Sequence, residues 1–329
     1  MITPDYSALT GELQQIFNDA AKNKVAKAVG MTIFGVKSTD LLDYKYQILH
    51  GVDGVVLVSE GQDYPTTSGK QGDSITFTQL QYGRTITVTK KIRKFWRTAN
   101  GDVAKQVKTT TETTFDRIDQ SMADRLLYGF STSYTDVFDS SVSAVCPDGL
   151  ALFSDAHTNN ANTTTFSNII VEGATTNPVL SRAAIVETIA TGRKFKRPIN
   201  EGKNIGSPVE LDTLLVGPEL YDAAVRFIES AKISGSANND TNSSIGHIKI
   251  KMWSRLAATG QGTDRAAYWY MYDSSMVGET LIALFSQKPQ FYAPEEQNRS
   301  KNWDYTIDAF YALGNGWPAY IYASNGTLS

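Results

Sequence analysis

A short segment near the middle of the sequence carries several residue types that enzymes use for catalysis. The segment CPDGLALFSDAHTNNAN, residues 146–162, contains a thiol, hydroxyls, an imidazole and carboxylates. Cys146 or Ser154 with His157 would supply the nucleophile and the base of a hydrolase. However, the segment lacks a glycine-bounded nucleophile turn and an oxyanion loop. A hydrolase is therefore only an alternative hypothesis, and we expect the chain not to be an enzyme.

The sequence does not indicate a metal or cofactor site. It has three histidines and one cysteine, and none of them are paired at a spacing typical of zinc sites. Asp148 and Asp155 do not follow the alternating ligand pattern of a calcium loop. The glycine pairs at 260–262 and 314–316 lack the elements of a dinucleotide site, so we interpret them as loop turns. We expect no metal and no cofactor, and we interpret the polar residues of the 146–162 segment as loop caps and turns.

The composition is that of an ordinary globular chain. Its 329 residues are 41% hydrophobic and 20% charged, and the formal net charge is -3. This balance predicts no attraction of the whole chain to nucleic acid or to anionic lipid. The single cysteine excludes an internal disulfide, and we find neither a signal-peptide core nor an apolar run of membrane-spanning length. We expect a protein that is made and kept in a cytosol.

The hydrophobic periodicity predicts a mixed fold of helices and strands. Apolar residues at helical spacing predict an N-terminal helix within residues 7–30 and one long helix from about Val103 to Gly129. Between them, the β-rich residues from Gly51 to Trp96 predict a long two-stranded excursion with little core of its own. Helix, strand and helix alternate over residues 180–231, which indicates an α/β layer. An aromatic β-rich segment from Leu281 to Tyr322 closes the chain.

This order of elements resembles the major capsid protein of tailed bacteriophages over nearly the whole chain. YGRTITVTKKI (82–92) is similar to the returning strand of that family's extended E-loop, and TTFDRIDQSMADRLLYGF (113–130) is similar to its spine helix. DGLALFSDAHTN (148–159) is similar to a pattern that follows the spine helix in many phage head subunits. DTLLVGPELYDAAVRFIES (212–230) resembles a strand and helix of the axial domain, and residues 288–317 resemble the last strands of the peripheral domain.

The resemblance implies an α+β fold, that of the tailed-phage major capsid protein, with five parts along the chain. They are an N-terminal arm (1–50), an extended β-hairpin E-loop (51–98), a peripheral domain with the spine helix (99–178), an axial domain (179–279) and closing strands of the peripheral domain (280–329).

The resemblance also implies a function. Identical chains would assemble into pentamers and hexamers and then into an icosahedral head shell, in which repeated modest contacts give stability. The implied partners are copies of the chain, separate scaffold, portal and decoration proteins, and packaged double-stranded DNA through weak non-specific contact, with no membrane. The implied location is the virion capsid, assembled in the host cytoplasm. A tail or portal component is a further alternative, although a long helix between two β-rich segments argues against a tube protein.

Two charged elements are candidates for contacts between subunits. We interpret the basic run KKIRKFWR (90–97) as part of the excursion's second strand, and its cations could meet phosphates, solvent or a neighbour's carboxylates. In the resembled family the loop of one subunit lies across the helix region of the next. We therefore predict salt-sensitive pairs of about 0.2–1 kcal/mol each between the run and the long helix. The predicted residues are Lys90, Lys91, Arg93, Lys94, Glu112, Asp116, Asp119 and Asp124.

Overall fold

The structure is a computed structural model of the chain. It describes residues 6–49, 57–66, 71–94, 96–136, 140–158, 165–195, 208–230, 232, 246–257, 265–292, 294–296 and 300–326. In these ranges the helices are α1 (Tyr6–Lys27), α2 (Gly30–Ile33), α3 (Lys90–Lys94), α4 (Trp96–Leu127), α5 (Arg182–Lys194), α6 (Pro218–Ile228) and α7 (Val277–Thr280). No helix in the described part is long and apolar enough to cross a membrane.

The strands of the same ranges are β1 (Gly35–Ser38), β2 (Asp43–Leu49), β3 (Gln71–Thr78), β4 (Leu80–Val88), β5 (Ser133–Thr135), β6 (Ser141–Ser143), β7 (His157–Thr158), β8 (Thr165–Phe166), β9 (Val171–Glu172), β10 (Thr175–Thr176), β11 (Thr213–Val216), β12 (Lys249–Met252), β13 (Trp269–Tyr272), β14 (Leu281–Phe291), β15 (Glu295–Glu296), β16 (Trp303–Asn315) and β17 (Ile321–Ser324). The two longest strands of these ranges, β14 and β16, lie near the C-terminus.

The long helix is confirmed, and it begins seven residues earlier than its apolar periodicity predicts. Helix α4 runs from Trp96 to Leu127. A stripe of its side chains at helical spacing is buried, as expected for an amphipathic helix. These residues are Val103, Val107, Phe115, Ile118, Met122 and Leu126. Helix α1 packs along the first half of α4, where Leu13 and Phe17 of α1 share a hydrophobic cluster with Val103 and Val107 of α4.

The main sheet joins distant parts of the chain. Its strands lie in the order β1-β14-β16, and both β15 and β4 also pair with β16. Strand β4 is antiparallel to β16 from Leu80 opposite Tyr311 to Val88 opposite Trp303. Strands β2 and β3 form a separate two-stranded antiparallel sheet. The prediction of one two-stranded excursion is therefore wrong for its second half, which belongs to the main sheet; residues 51–56 and 67–70 of the excursion lie outside the described residues.

The basic run is a helix, and its interpretation as a strand is wrong. Strand β4 ends at Val88, and Lys90–Lys94 form helix α3. The Thr89 hydroxyl accepts a hydrogen bond from the Ile92 backbone N–H at 3.4 Å, which is a helix N-cap contact. The Lys90 backbone N–H donates to Asn302 Oδ1 at 3.1 Å. These two side chains turn the backbone out of the strand, so the cations after β4 follow helical rather than alternating spacing.

The predicted α/β layer is confirmed. Strand β11 is buried at every position and is followed by α6, with Pro218 in the first turn of that helix. The sheet order is β12-β11-β13-β17. Strand β17 comes from the closing segment of the chain, whose other strands belong to the main sheet.

Two glycines fix the base of the β2–β3 hairpin. Gly314 lies in β16, where an added Cβ would come within 2.0 Å of the Phe77 ring. At Gly316 an added Cβ would meet the Glu279 carbonyl oxygen and the Tyr46 ring. Phe77 and Tyr46 are buried in one hydrophobic cluster. The interpretation of this glycine pair as loop punctuation is therefore wrong, because close ring packing requires both residues.

Candidate functional site

The candidate nucleophile lies in a tight turn and is buried. The Cys146 backbone N–H donates to the Leu150 carbonyl at 2.8 Å, and the Gly149 N–H donates to the Cys146 carbonyl at 2.9 Å. Gly149 has a φ of 81°, the left-handed conformation that glycine adopts without strain. Burial, with a smaller effect of Asp148, raises the pKa of the Cys146 thiol well above its usual range. A buried neutral thiol is a poor nucleophile.

The candidate base is held by a buried carboxylate. His157 Nδ1 lies 2.7 Å from Asp148 Oδ2, and Nε2 lies 3.2 Å from the Leu152 carbonyl oxygen. The side chains of His157 and Asp148 are 0% and 4% exposed. The second Asp148 oxygen accepts from the Leu150 N–H at 3.1 Å. Both ring nitrogens are therefore engaged inside the protein, and the pair joins the turn at Asp148 to strand β7.

Asn168 completes the clamp that Asp148 and His157 form on this loop, and sequence reasoning missed it. Its Nδ2 donates to the carbonyls of Leu152 and Pro318 at 2.7 and 3.1 Å, and its Oδ1 accepts from the Ser154 N–H at 2.9 Å. The Ser154 hydroxyl accepts from the Ala156 N–H at 3.3 Å. The prediction that these residues cap and turn a loop is confirmed for Asp148, Ser154 and His157. Within the described ranges, no group of three or more potential metal ligands is found.

Replacing Asp148 with asparagine is expected to lower the free energy of unfolding by about 1 to 2 kcal/mol. The carboxylate accepts from both His157 and the Leu150 N–H, whereas one amide oxygen cannot serve both donors as well. Asp155→Asn is the matched control, because Asp155 is exposed and its replacement should change stability by less than about 0.5 kcal/mol. Urea denaturation measures both, and equal losses would show that the clamp is unimportant.

Asp119 of the long helix is bound within its own chain. Its Oδ1 accepts from the Gly30 backbone N–H at 3.1 Å, and its Oδ2 accepts from Trp253 Nε1 at 3.3 Å and from Arg255 Nε. The residue is 8% exposed. A buried carboxylate with three donors and a guanidinium partner is well satisfied. Asp119 thus ties α4 to the start of α2 and to the segment after β12.

The other three predicted acidic residues lie on or near the same face. Asp116 pairs with Arg255 Nη2 at 2.6 Å and with Lys24 Nζ at 2.7 Å. Asp124 is 2% exposed and accepts from Gln120 at 2.8 Å, and burial raises the pKa of its carboxyl. Glu112 is half-buried. It lines an open groove of about 980 Å³ together with Lys24, Lys27, Lys108 and Arg255.

The predicted basic residues lie on helix α3. Lys90, Lys91 and Lys94 are exposed there, while the Arg93 side chain lies outside the described part. A single chain does not test whether these cations meet a neighbour's carboxylates, so that contact stays a prediction. Of the predicted acids, Asp116 and Asp119 already have cationic partners in their own chain, and Asp124 is buried.

Two apolar side chains on the excursion are almost fully exposed. Leu57 is 98% and Tyr64 is 86% exposed. They flank a turn in which the Gln62 N–H donates to the Ser59 carbonyl at 3.1 Å, and Gly61 has a φ of 82°. We call Leu57 and Tyr64 the crest pair. Two large apolar side chains exposed to this extent on one turn make that turn a candidate contact surface.

An aromatic groove lies elsewhere on the chain. We call it the tyrosine groove; it has a volume of about 440 Å³ and is lined by Tyr82, Tyr134, Tyr311, Leu80, Leu313 and other residues of β3, α4 and β6. The Tyr82 and Tyr311 rings stack at 4.6 Å. Arg125 fixes the wall, since its two Nη atoms donate to the carbonyls of Ser143 and Leu313 at 2.6 and 2.7 Å.

Comparison with solved structures identifies the fold. A chain from the capsid structure of the cyanophage P-SCSP1u is 9% identical with a TM-score of 0.51, and the match covers 92% of this chain and 89% of that chain. A chain from the capsid of an empty GTA particle is also 9% identical with a TM-score of 0.50, covering 90% of this chain and 89% of that one. No protein-family model and no curated protein sequence matches. The chain has the α+β fold of tailed-phage major capsid proteins, as its element order predicts.

Proposed function

We propose that this chain is a major capsid protein whose copies form pentamers and hexamers and then an icosahedral head shell around double-stranded DNA. The observation that carries the proposal is the fold, which matches chains of two capsids over at least 90% of the sequence. The role is structural and uses no catalytic group, in keeping with a buried Cys146 and an internally bonded His157. The virion is the proposed location, and scaffold, portal and decoration proteins are proposed further partners.

The crest pair and the tyrosine groove support a contact between copies. We propose that Leu57 and Tyr64 of one copy enter the tyrosine groove of the next. The groove has a volume within the roughly 300–1,000 Å³ typical of sites that enclose drug-sized ligands. The crest pair and the tyrosine groove are different surfaces of the same chain, so a contact between them is head-to-tail. Head-to-tail contacts form a ring when the rotation between neighbouring copies closes, which is the arrangement that pentamers and hexamers require.

The division of the chain into arm, E-loop, peripheral domain and axial domain follows the same proposal. The two sheets support it, because β11, β12 and β13 form one sheet while β14 and β16 form another. Strand β2 belongs to the proposed arm (1–50) and β3 to the proposed E-loop (51–98), so the β2–β3 hairpin lies where the two parts meet. The spine helix is α4, which contacts both α1 and the segment after β12.

Electron microscopy and sedimentation of the purified full-length protein test the proposal. Closed shells, or discrete pentamers and hexamers that grow with protein concentration, are the expected result. A protein that stays monomeric at every concentration and salt tested, alone and with lysate of its expression host, contradicts it. Hydrolysis of ester or peptide substrates that is lost on His157→Ala in a folded variant would favour the hydrolase alternative instead.

A further inference from the structure

The region from α3 into the first half of α4 is strongly positive in an acidic chain. Residues 90–108 contain seven basic side chains and one acidic side chain, a net charge of +6. The whole chain carries -3, so the remaining residues carry -9. Such a local excess of one sign attracts a partner of the opposite sign even when the whole molecule does not.

The described lysines of this region are on its solvent side. Lys90, Lys91 and Lys94 are exposed on α3, and Lys105 and Lys108 are exposed on α4. We call these five residues the basic surface. The buried side of the same part of α4 carries Val103 and Val107, which pack against α1. The lysines therefore do not contribute to the core of the subunit, and their clustering needs another explanation.

Pairing with the α4 carboxylates of a neighbouring copy does not explain why these lysines cluster. Asp116 and Asp119 already pair with Arg255, and Asp116 also pairs with Lys24. Asp124 is 2% exposed. Glu112 shares its groove with Lys27 and Lys108 of its own chain. On a neighbouring copy, Asp116 and Asp119 of α4 would already be paired and Asp124 would be buried, whereas a polyanion brings a dense and accessible row of charges.

We infer that the basic surface binds the phosphate backbone of double-stranded nucleic acid, an inference that rests on the proposed shell function for its biological setting. Lysine ammonium groups act as point charges toward phosphate and do not read base edges, so binding should be independent of sequence. Each phosphate neutralised releases counterions, and the slope of log K against log salt is about -0.9 per contact. With five lysines, the slope is no steeper than about -4.5. The acidic remainder of the chain repels the DNA and keeps the affinity weak.

The experiment measures fluorescence anisotropy of a labelled duplex DNA of random sequence with the full-length protein at several salt concentrations. Lys90→Glu, Lys91→Glu and Lys94→Glu combined should lower the affinity at least tenfold and reduce the salt slope. The matched control reverses three exposed lysines elsewhere, Lys45, Lys194 and Lys288, and has the same net charge. It should lose much less affinity. If the α3 variant is misfolded by circular dichroism, Lys105→Glu with Lys108→Glu replaces it.

Three results would overturn the inference. The first is a parent protein that assembles but does not bind duplex at low salt. The second is equal loss in the α3 variant and the control, which would mean that only net charge matters. The third is an α3 variant that fails to assemble and is rescued by adding Glu112→Lys in the same chain, which would identify a neighbouring subunit as the partner. A parent that binds duplex in a salt-dependent way but never assembles contradicts the shell function and leaves the basic surface in place.

Discussion

Replacing both Leu57 and Tyr64 with aspartate is expected to abolish assembly while the subunit stays folded. The two side chains are 98% and 86% exposed, so the isolated chain loses almost no packing. In the proposed contact each would be buried in the tyrosine groove, and burial of a large apolar side chain contributes about 1.5–3 kcal/mol. The same loss recurs at each head-to-tail contact in a ring and through the shell. Sedimentation velocity measures assembly, and circular dichroism measures folding.

Conservative and displaced variants control this prediction. Leu57→Met with Tyr64→Phe keeps the apolar contact and should assemble like the parent. Val186→Asp with Tyr221→Asp places two charges on α5 and α6, at side chains 43% and 41% exposed, and should disturb assembly less. Shells formed by the crest variant at the parent's concentration would show that the crest pair does not make the contact.

Elements with a strong local pattern could be predicted from the sequence. Helix α4 shows a buried stripe at three- and four-residue spacing, and β11 is a short apolar run followed by a proline-initiated helix. These patterns depend on each element's own residues, because a helix buries one face and a central strand buries both. The order of such elements was also sufficient to indicate the capsid fold.

Pairing between distant strands could not be predicted in the same way. The residues of β4 alternate as a strand should, but its partner β16 lies more than two hundred positions away in the sequence. Nothing in the local sequence of β4 indicates which strand it pairs with. Nothing in the composition of the basic run after β4 marks the end of pairing, so the sequence alone predicts that the strand continues through it. The cap from Thr89 and the contact with Asn302 end the strand, and the second of these is a tertiary contact.

The same limit applies to the polar clusters. Asp148 and His157 are nine positions apart, and their role as loop residues could be predicted from that short segment. Asp119 binds Gly30, Trp253 and Arg255, which are distant in sequence, so the sequence alone predicts it only as a charge on the long helix. Helical periodicity places a residue on a face, but it does not reveal which other element covers that face.

Replacing Gly314 with alanine is expected to lower the free energy of unfolding by about 2 to 3 kcal/mol. The new Cβ would lie 2.0 Å from Cε1 of Phe77 and 2.4 Å from two further ring carbons, so the ring must leave its site. Phe77 and Tyr46 hold the β2–β3 hairpin in the core, and their rings lie 6.3 Å apart. Hydrogen exchange should therefore show faster exchange in β2 and β3, with α6 unchanged.

Two controls separate the steric clash at Gly314 from the general effect of replacing a glycine. They are Gly11→Ala, at a glycine with open space around it, and the combination of Gly314→Ala with Phe77→Ala. No atom lies within 4 Å of a Cβ added at Gly11 of α1, so Gly11→Ala should stabilise the protein by up to about 1 kcal/mol, the opposite sign. Phe77→Ala alone should cost about 3 to 5 kcal/mol. Because Phe77→Ala removes the ring that the new methyl group meets, the double variant should be no less stable than Phe77→Ala alone. Simple additivity of the two losses in a double-mutant cycle would mean that Gly314 and Phe77 do not meet, and the hairpin would then need another anchor on β16.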